Sequence, residues 1–233
     1  MAHSHSPNTI PRRRSPEVGL TRRSVTIFLC ALVLFIVVMP FAQYLADPGL
    51  VEGPLLAITL ICGMLAVGGR RKSLLLAACL ALPAVAARWL WHYWPDSFLH
   101  GLFLTLGVLL FLQVTVQLLW FIVNARDVDR EVLAAGVATY LVLGLMWAML
   151  YLLVGYLEPN AFTLPSSAAA GKQLDSFNAL YFSFVTLTTM GYGDISPAAP
   201  VTRMLAVLEA VTGVLYLSVL IARLVTLYTD RQA

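Results

Sequence analysis

The sequence predicts an all-α membrane protein of six transmembrane helices, with a short re-entrant helix and a non-helical strand between the fifth and the sixth. Three observations carry that expectation. The 233-residue chain is 60% hydrophobic and 12% charged, too apolar for a soluble domain of this length to bury. Its apolar residues gather in runs near 24–46, 54–69, 73–91, 98–123, 132–157 and 201–226, on the scale that crosses a bilayer core. Its basic residues fall almost entirely in alternate connections between those runs.

Residues 1–23 form a polar, basic tail with Arg12, Arg13, Arg14, Arg22 and Arg23, expected to be disordered. The apolar run that follows is too long for the core of a secretory signal, so it is the first span. His3 and His5 are too few for a metal site. Cys30, Cys62 and Cys79 all lie inside apolar runs, with neither metal-ligand spacing nor a disulfide framework. Pro40 and Pro83 also fall within spans, where neighbouring helices can satisfy the carbonyls a proline frees. Trp89, Trp91, Tyr93 and Trp94 cluster at the end of the third run, as an interfacial aromatic belt does. The runs show no internal repeat.

Orientation follows from the basic residues. With a cytoplasmic N-terminus, Arg12, Arg13, Arg14, Arg22, Arg23, Arg70, Arg71, Lys72, Arg126, Arg130, Arg223 and Arg231 lie inside. Only Arg88, Lys172 and Arg203 lie outside. The positive-inside bias therefore predicts a multi-pass protein of the cell membrane with both termini cytoplasmic. It also places the connection between the fifth and sixth runs outside.

The fourth run, 98–123, contains no Lys or Arg; its polar residues are His100, Thr105, Gln113, Thr115 and Gln117. A span that responds steeply to membrane potential needs moving charges, each worth about 2.3 kcal/mol per 100 mV. Arg88 is expected to snorkel to the outer interface, and His92 and His100 to pack there. The connection 124–131 carries Arg126, Asp127, Asp129, Arg130 and Glu131 and reads equally as an interfacial helix or a solvated loop.

Residues 158–173 are polar and form an outer loop. The next segment, about Leu174 to Thr188, is apolar but too short to span, so it predicts a re-entrant helix. Asp175 or Ser176 can cap its N-terminus. Its C-terminus then aims a negative dipole end into the membrane, which favours a cation. Thr188 to Asp194 follow, reading Thr-Thr-Met-Gly-Tyr-Gly-Asp. Non-helical backbone at this depth is tolerated only where it is buried or lines a wet path. Glycines at alternate positions permit backbone angles that a Cβ forbids.

The five residues Thr189, Met190, Gly191, Tyr192 and Gly193 resemble the selectivity filter of potassium channels. Residues 132–228 as a whole resemble the pore domain of the tetrameric potassium channel superfamily: outer helix, pore helix, filter, inner helix. The layout is similar to a prokaryotic six-span channel with one pore loop and no arginine voltage sensor, in which 24–123 stands for a sensor domain without gating charges. The resemblance implies that K⁺ is the permeant ion. Carbonyls of Thr189 to Gly193 would replace its water, with K⁺ sites at Thr189, Met190, Gly191 and Tyr192. Thr186 and Thr188 match the residues before the glycines, and Tyr181 and Phe182 the aromatics that brace a filter from behind. Asp194 matches the acidic residue of the outer mouth. Gly213, nineteen residues beyond Asp194, matches the inner-helix hinge. By that register Val214, Leu217, Ile221 and Val225 line the cavity and gate. Met190 stands where the family usually has valine or isoleucine, which implies altered packing behind the filter with K⁺ preference kept.

Glu209 lies inside the sixth span, four residues before Gly213. A carboxyl at that depth is costly. It is expected either to brace the inner helix through hydrogen bonds, with Thr186 or Thr212 as partners, or to lend negative potential to the cavity.

These readings predict a potassium-selective channel subunit that conducts passively and is not steeply voltage-gated. One filter strand cannot surround an ion, so the resemblance implies a homotetramer with three further identical subunits in a lipid bilayer. No cofactor beyond the permeant ion and no nucleic acid is expected. The alternatives are a potassium uptake transporter subunit, whose filter-like loops usually number four per chain, and a non-conducting or regulatory subunit. No nucleophile–base set, carboxylate pair or metal cluster in the spans suggests an enzyme. Residues 229–233 are expected to be a short cytoplasmic tail without a ligand-sensing module.

Overall fold

In a computed structural model, the described residues are 19–42, 44, 55–56, 58–59, 62–63, 71–94, 97–125, 129–164 and 174–230. Most of the expected basic tail, most of the second expected span, most of the outer polar loop and residues 231–233 lie outside them. So does the side chain of His92.

Six bounded helices and a small ribbon are described, beside further helical residues at 55–56, 58–59 and 62–63. The bounded elements are α1 (Gly19–Ala42), α2 (Arg71–Tyr93), α3 (Ser97–Val123), α4 (Arg130–Leu157), β1 (Phe162–Thr163), α5 (Ser176–Leu187), β2 (Ser196–Pro197) and α6 (Pro200–Asp230). Four of them, α1, α3, α4 and α6, are long and apolar enough to cross a membrane. The apolar part of α2, Leu75–Trp91, is shorter, as is α5. The 12 residues of α5 are one helix of the length expected for the re-entrant segment. Helix α1 begins at Gly19, so the end of the expected disordered tail is helical. Nothing in Gly19-Leu-Thr-Arg-Arg breaks a helix, and the two arginines extend it past the apolar zone.

Each long helix buries one stripe. In α1 the buried residues are Val25, Phe28, Leu32, Phe35, Met39 and Ala42, spaced by three or four. The remaining faces expose Ile27, Leu34, Val37 and Phe41. Such apolar outer faces are expected where lipid is the solvent. Helix α4 is the most enclosed of the four, and it forms the hub: α1 and α3 pack on one side, α5 and α6 on the other, and α2 packs against α3. The first core joins the front helices to α4 through Phe28, Leu32, Leu110, Leu118 and Val142. The second gathers Leu143, Trp147, Tyr151, Phe182, Leu187 and Ile195.

Caps and close approaches fix the ends and crossings. Asp129 caps α4, accepting from the Val132 N–H at 3.0 Å. Pro200 opens α6, where its missing N–H is no loss. Gly144 on α4 makes room for the Phe184 ring on α5, because a Cβ there would lie within 2.6 Å of it. The two-residue ribbon, β1 against β2, is an addition to the expected all-α plan. It pairs Phe162 with Pro197 and Thr163 with Ser196. The Ala161 carbonyl extends the tie, accepting from the Ala198 N–H at 2.8 Å and the Thr202 hydroxyl at 2.9 Å.

Candidate functional site

Helix α5 is held at both ends. Asp175, rather than Ser176, caps its start: Oδ1 accepts from the Asn178 backbone at 2.8 Å and Oδ2 from the Asn178 side chain at 2.9 Å. At its end the Thr189 N–H donates to the Thr186 carbonyl at 2.9 Å, and the Met190 N–H to the Val185 carbonyl at 2.9 Å. That nested pair is a Schellman motif, which requires a left-handed residue just past the cap. Glycine usually supplies it. Here it is Thr189, at φ 59°. A β-branched residue held there costs about 1–2 kcal/mol. The Thr188 hydroxyl donates back to the Phe184 carbonyl at 2.6 Å, completing the helix end.

Beyond Thr189 the backbone alternates in hand. Gly191 has φ 56° and Gly193 φ 80°, while Met190 and Tyr192 between them keep negative φ. The strand carries no helix or sheet pairing of its own. Residues Thr188 to Asp194 are all exposed in the single chain.

Behind the strand, a cavity of about 200 Å³ is walled by Tyr181, Phe182, Val185, Thr186 and Ile195. Tyr181 stacks on Tyr192 with ring centroids 6.5 Å apart, and its hydroxyl faces Asp194. Phe182 sits edge-on to Tyr151 (4.9 Å) and Phe162 (5.5 Å), in the second core. Met190 does not line this cavity, and its side chain is exposed.

Glu209 is completely buried. Its partners are neither Thr186 nor Thr212; the Thr212 hydroxyl donates to the Leu208 carbonyl. Oε2 accepts from the Tyr151 hydroxyl at 2.5 Å, and Oε1 lies 2.6 Å from Ser183 Oγ. Ser183 Oγ is also 2.7 Å from the Gly144 carbonyl. A serine has one hydroxyl hydrogen and cannot serve two acceptors. The chain closes when the carboxyl carries a proton: it donates to Ser183, Ser183 donates to Gly144, and Tyr151 donates to the other carboxyl oxygen. Three helices meet in this network, α4 through Tyr151 and Gly144, α5 through Ser183, and α6 through Glu209.

Gly213 faces the end of α5. A Cβ there would collide with the Leu187 carbonyl oxygen, and that same oxygen accepts from the Tyr140 hydroxyl at 3.3 Å. Helix α6 runs unbroken through Gly213. Val214, Leu217, Ile221 and Val225 follow on one exposed face of it. Tyr216, on another face, donates to the Gly136 carbonyl at 2.6 Å.

In the front half, Arg88 lies over the rings of Trp91 and Phe103, and His100 sits between Trp91 and Tyr156. At the other end of the molecule, Arg223 on α6 donates to the Val123 and Ala125 carbonyls at 3.0 and 3.1 Å. Nothing in the linear sequence marks Ser183, Tyr151, Tyr140, Gly144 or Arg223 as a site residue. A buried carboxyl signals that donors exist, but partners 26 and 58 residues away have no linear signature.

Residues 137–230, from within α4 to the end of α6, match the family described as Ion channel. The chain is 36% identical over 89 residues to Two-pore potassium channel 4 of Arabidopsis thaliana, covering 38% of this chain and 30% of that protein. It is 35% identical over 80 residues to Protein LctB of Geobacillus stearothermophilus, covering 34% of this chain and 59% of that one. It is 42% identical over 45 residues to Voltage-gated potassium channel of Aeropyrum pernix, covering 19% of this chain and 15% of the relative. The chain thus spans less than two thirds of the length of each of these relatives. No solved structure matches. Four helices long and apolar enough to cross a membrane are consistent with a membrane protein, and residues 137–230 are the part of it that is similar to ion channels.

Proposed function

We propose that the chain is one subunit of a homotetrameric potassium channel that conducts K⁺ passively across the cell membrane, with both termini cytoplasmic. The observation that carries the proposal is the alternating hand of the backbone at Thr189, Gly191 and Gly193. Alternation turns successive N–H groups to one side of a strand and the carbonyls to the other, whereas an extended strand alternates them. A row of carbonyls on one side can replace the hydration shell of an alkali cation. Neutral, hard oxygens suit K⁺ and not a transition metal. One such row cannot enclose an ion; four around an axis can. The exposed apolar face of α6 beside the strand offers the surface for neighbouring copies.

In this reading Asp194 shapes the outer mouth, Tyr192 and Tyr181 hold the strand laterally, and Val214, Leu217, Ile221 and Val225 line the inner path. Gly213 is the bending point of α6. Gating is not steeply voltage-dependent, because Ser97–Val123 carries no Lys or Arg.

Flux from liposomes holding the purified protein tests the proposal, with a K⁺ gradient against a Na⁺ gradient, with and without Ba²⁺. K⁺ flux without Na⁺ flux, blocked by Ba²⁺, is the expected result. Equal flux of both ions would refute selectivity. No flux from a verified tetramer would favour a non-conducting subunit.

A further inference from the structure

The front half encloses a cavity of about 440 Å³ against α4 and α5. That volume lies in the roughly 300–1,000 Å³ range of small-molecule sites. Its walls are polarised. Arg88 and His100 line it together with Ser176 at the start of α5, while Phe111, Leu145 and Met149, further along α3 and α4, make the other end apolar. Along α3, Phe111 lies eleven residues beyond His100, about 16 Å at the ~1.5 Å helical rise. One end thus has a cation and the other has room for an alkyl tail.

The cation is available. The Arg88 guanidinium rests over the faces of Trp91 and Phe103, 5.2 and 5.9 Å from the ring centroids. Ring faces leave the in-plane N–H donors of a guanidinium free for an oxyanion. Asp175 is a carboxylate on the same wall, and it accepts at both oxygens from Asn178. A tryptophan and a histidine beside the arginine suit a headgroup at the membrane interface.

We infer that this cavity binds an amphiphile with an anionic headgroup, its carboxylate or phosphate on Arg88 and its alkyl chain running along α3 toward Phe111. The site stands apart from the filter strand and does not depend on ion conduction.

Native mass spectrometry of the delipidated full-length protein tests this. The probes are oleate, phosphatidylglycerol, phosphatidylcholine and inorganic phosphate, added separately. The expected result is retention of one oleate or one phosphatidylglycerol per chain, with phosphatidylcholine retained far less. Retention of oleate alone identifies a carboxylate ligand, and of phosphatidylglycerol alone a phosphate lipid. Arg88→Gln should reduce retention roughly tenfold, the effect of losing one charge-assisted contact, and Arg88→Lys should restore part of it. Phe111→Trp narrows the apolar end without touching the charge and should also reduce retention. Equal retention of phosphatidylcholine, indifferent to Arg88→Gln, would overturn the proposal. So would binding of inorganic phosphate as tightly as either amphiphile and unchanged by Phe111→Trp.

Discussion

At the residue scale, a buried carboxyl and a left-handed backbone give the sharpest tests. Glu209 is a buried carboxyl that the hydrogen bonds satisfy completely only with its proton on. Glutamine reproduces that neutral donor–acceptor pattern: its amide N–H donates to Ser183 and its carbonyl accepts from Tyr151. Glu209→Gln is therefore expected to keep thermal stability and K⁺ flux near the parent values. Glu209→Leu leaves the buried Tyr151 hydroxyl without its acceptor and should cost about 1–3 kcal/mol, read as earlier thermal unfolding. If Gln proved as damaging as Leu, the carboxyl would have to be ionised. The second case is backbone. Gly191 and Gly193 occupy positive φ, where a Cβ costs about 1–2 kcal/mol per residue. Gly193→Ala multiplies that penalty over four copies of the proposed assembly. Selective K⁺ flux in the liposome assay should be lost while the helical circular dichroism is retained.

At the scale of elements, the glycines of the α4–α5–α6 contact behave differently from one another. Gly144 faces the Phe184 ring, a side chain that can be shortened. Gly213 faces the Leu187 carbonyl, which no substitution removes. Both Gly144→Ala and Gly213→Ala should lower the yield of folded protein in size-exclusion chromatography. Adding Phe184→Leu should rescue the first, and Leu187→Ala should not rescue the second. This contrast also marks what could be read from the sequence. The lengths of α1, α3, α4, α5 and α6 followed closely from apolar runs, because lipid demands continuous hydrophobicity. The alternating glycines announced the unusual strand. What stayed hidden depends on which surfaces meet. Gly213 was legible as a special position, but its contact with Leu187 needed the crossing of α5 and α6. Glu209 was legible as a buried acid, but Ser183 and Tyr151 sit in apolar stretches where a hydroxyl gives no linear warning. The ribbon at Phe162 and Ser196 escaped notice because two-residue strands carry no periodicity.

At the scale of the whole molecule, α4 ties the front helices to α5 and α6, and Arg223 adds a second link from the far end of α6. Its guanidinium holds two carbonyls at the end of α3, where the helix dipole is negative. Arg223→Gln loses both the charge and the two-carbonyl grip. It is expected to alter open time in single-channel recordings while leaving the K⁺ to Na⁺ permeability ratio unchanged, because the change lies far from Thr189. A shifted ratio would show that the front helices reach the filter strand by another path. Current–voltage measurements should find no steep opening with depolarisation, given the absence of Lys and Arg in α3.

The tie between Ala161 and Ala198 has a consequence for fluctuations. The strand from Thr189 to Gly193 has few bonds of its own, yet its start is sewn to Val185 and Thr186, and the chain just beyond it is sewn to the end of α4. Such a stretch cannot open alone; it opens when one of its seams does. Amide hydrogens of Thr189 and Met190 should therefore exchange with deuterium at the same slow rate as that of Ala198, as one cooperative unit despite their exposure.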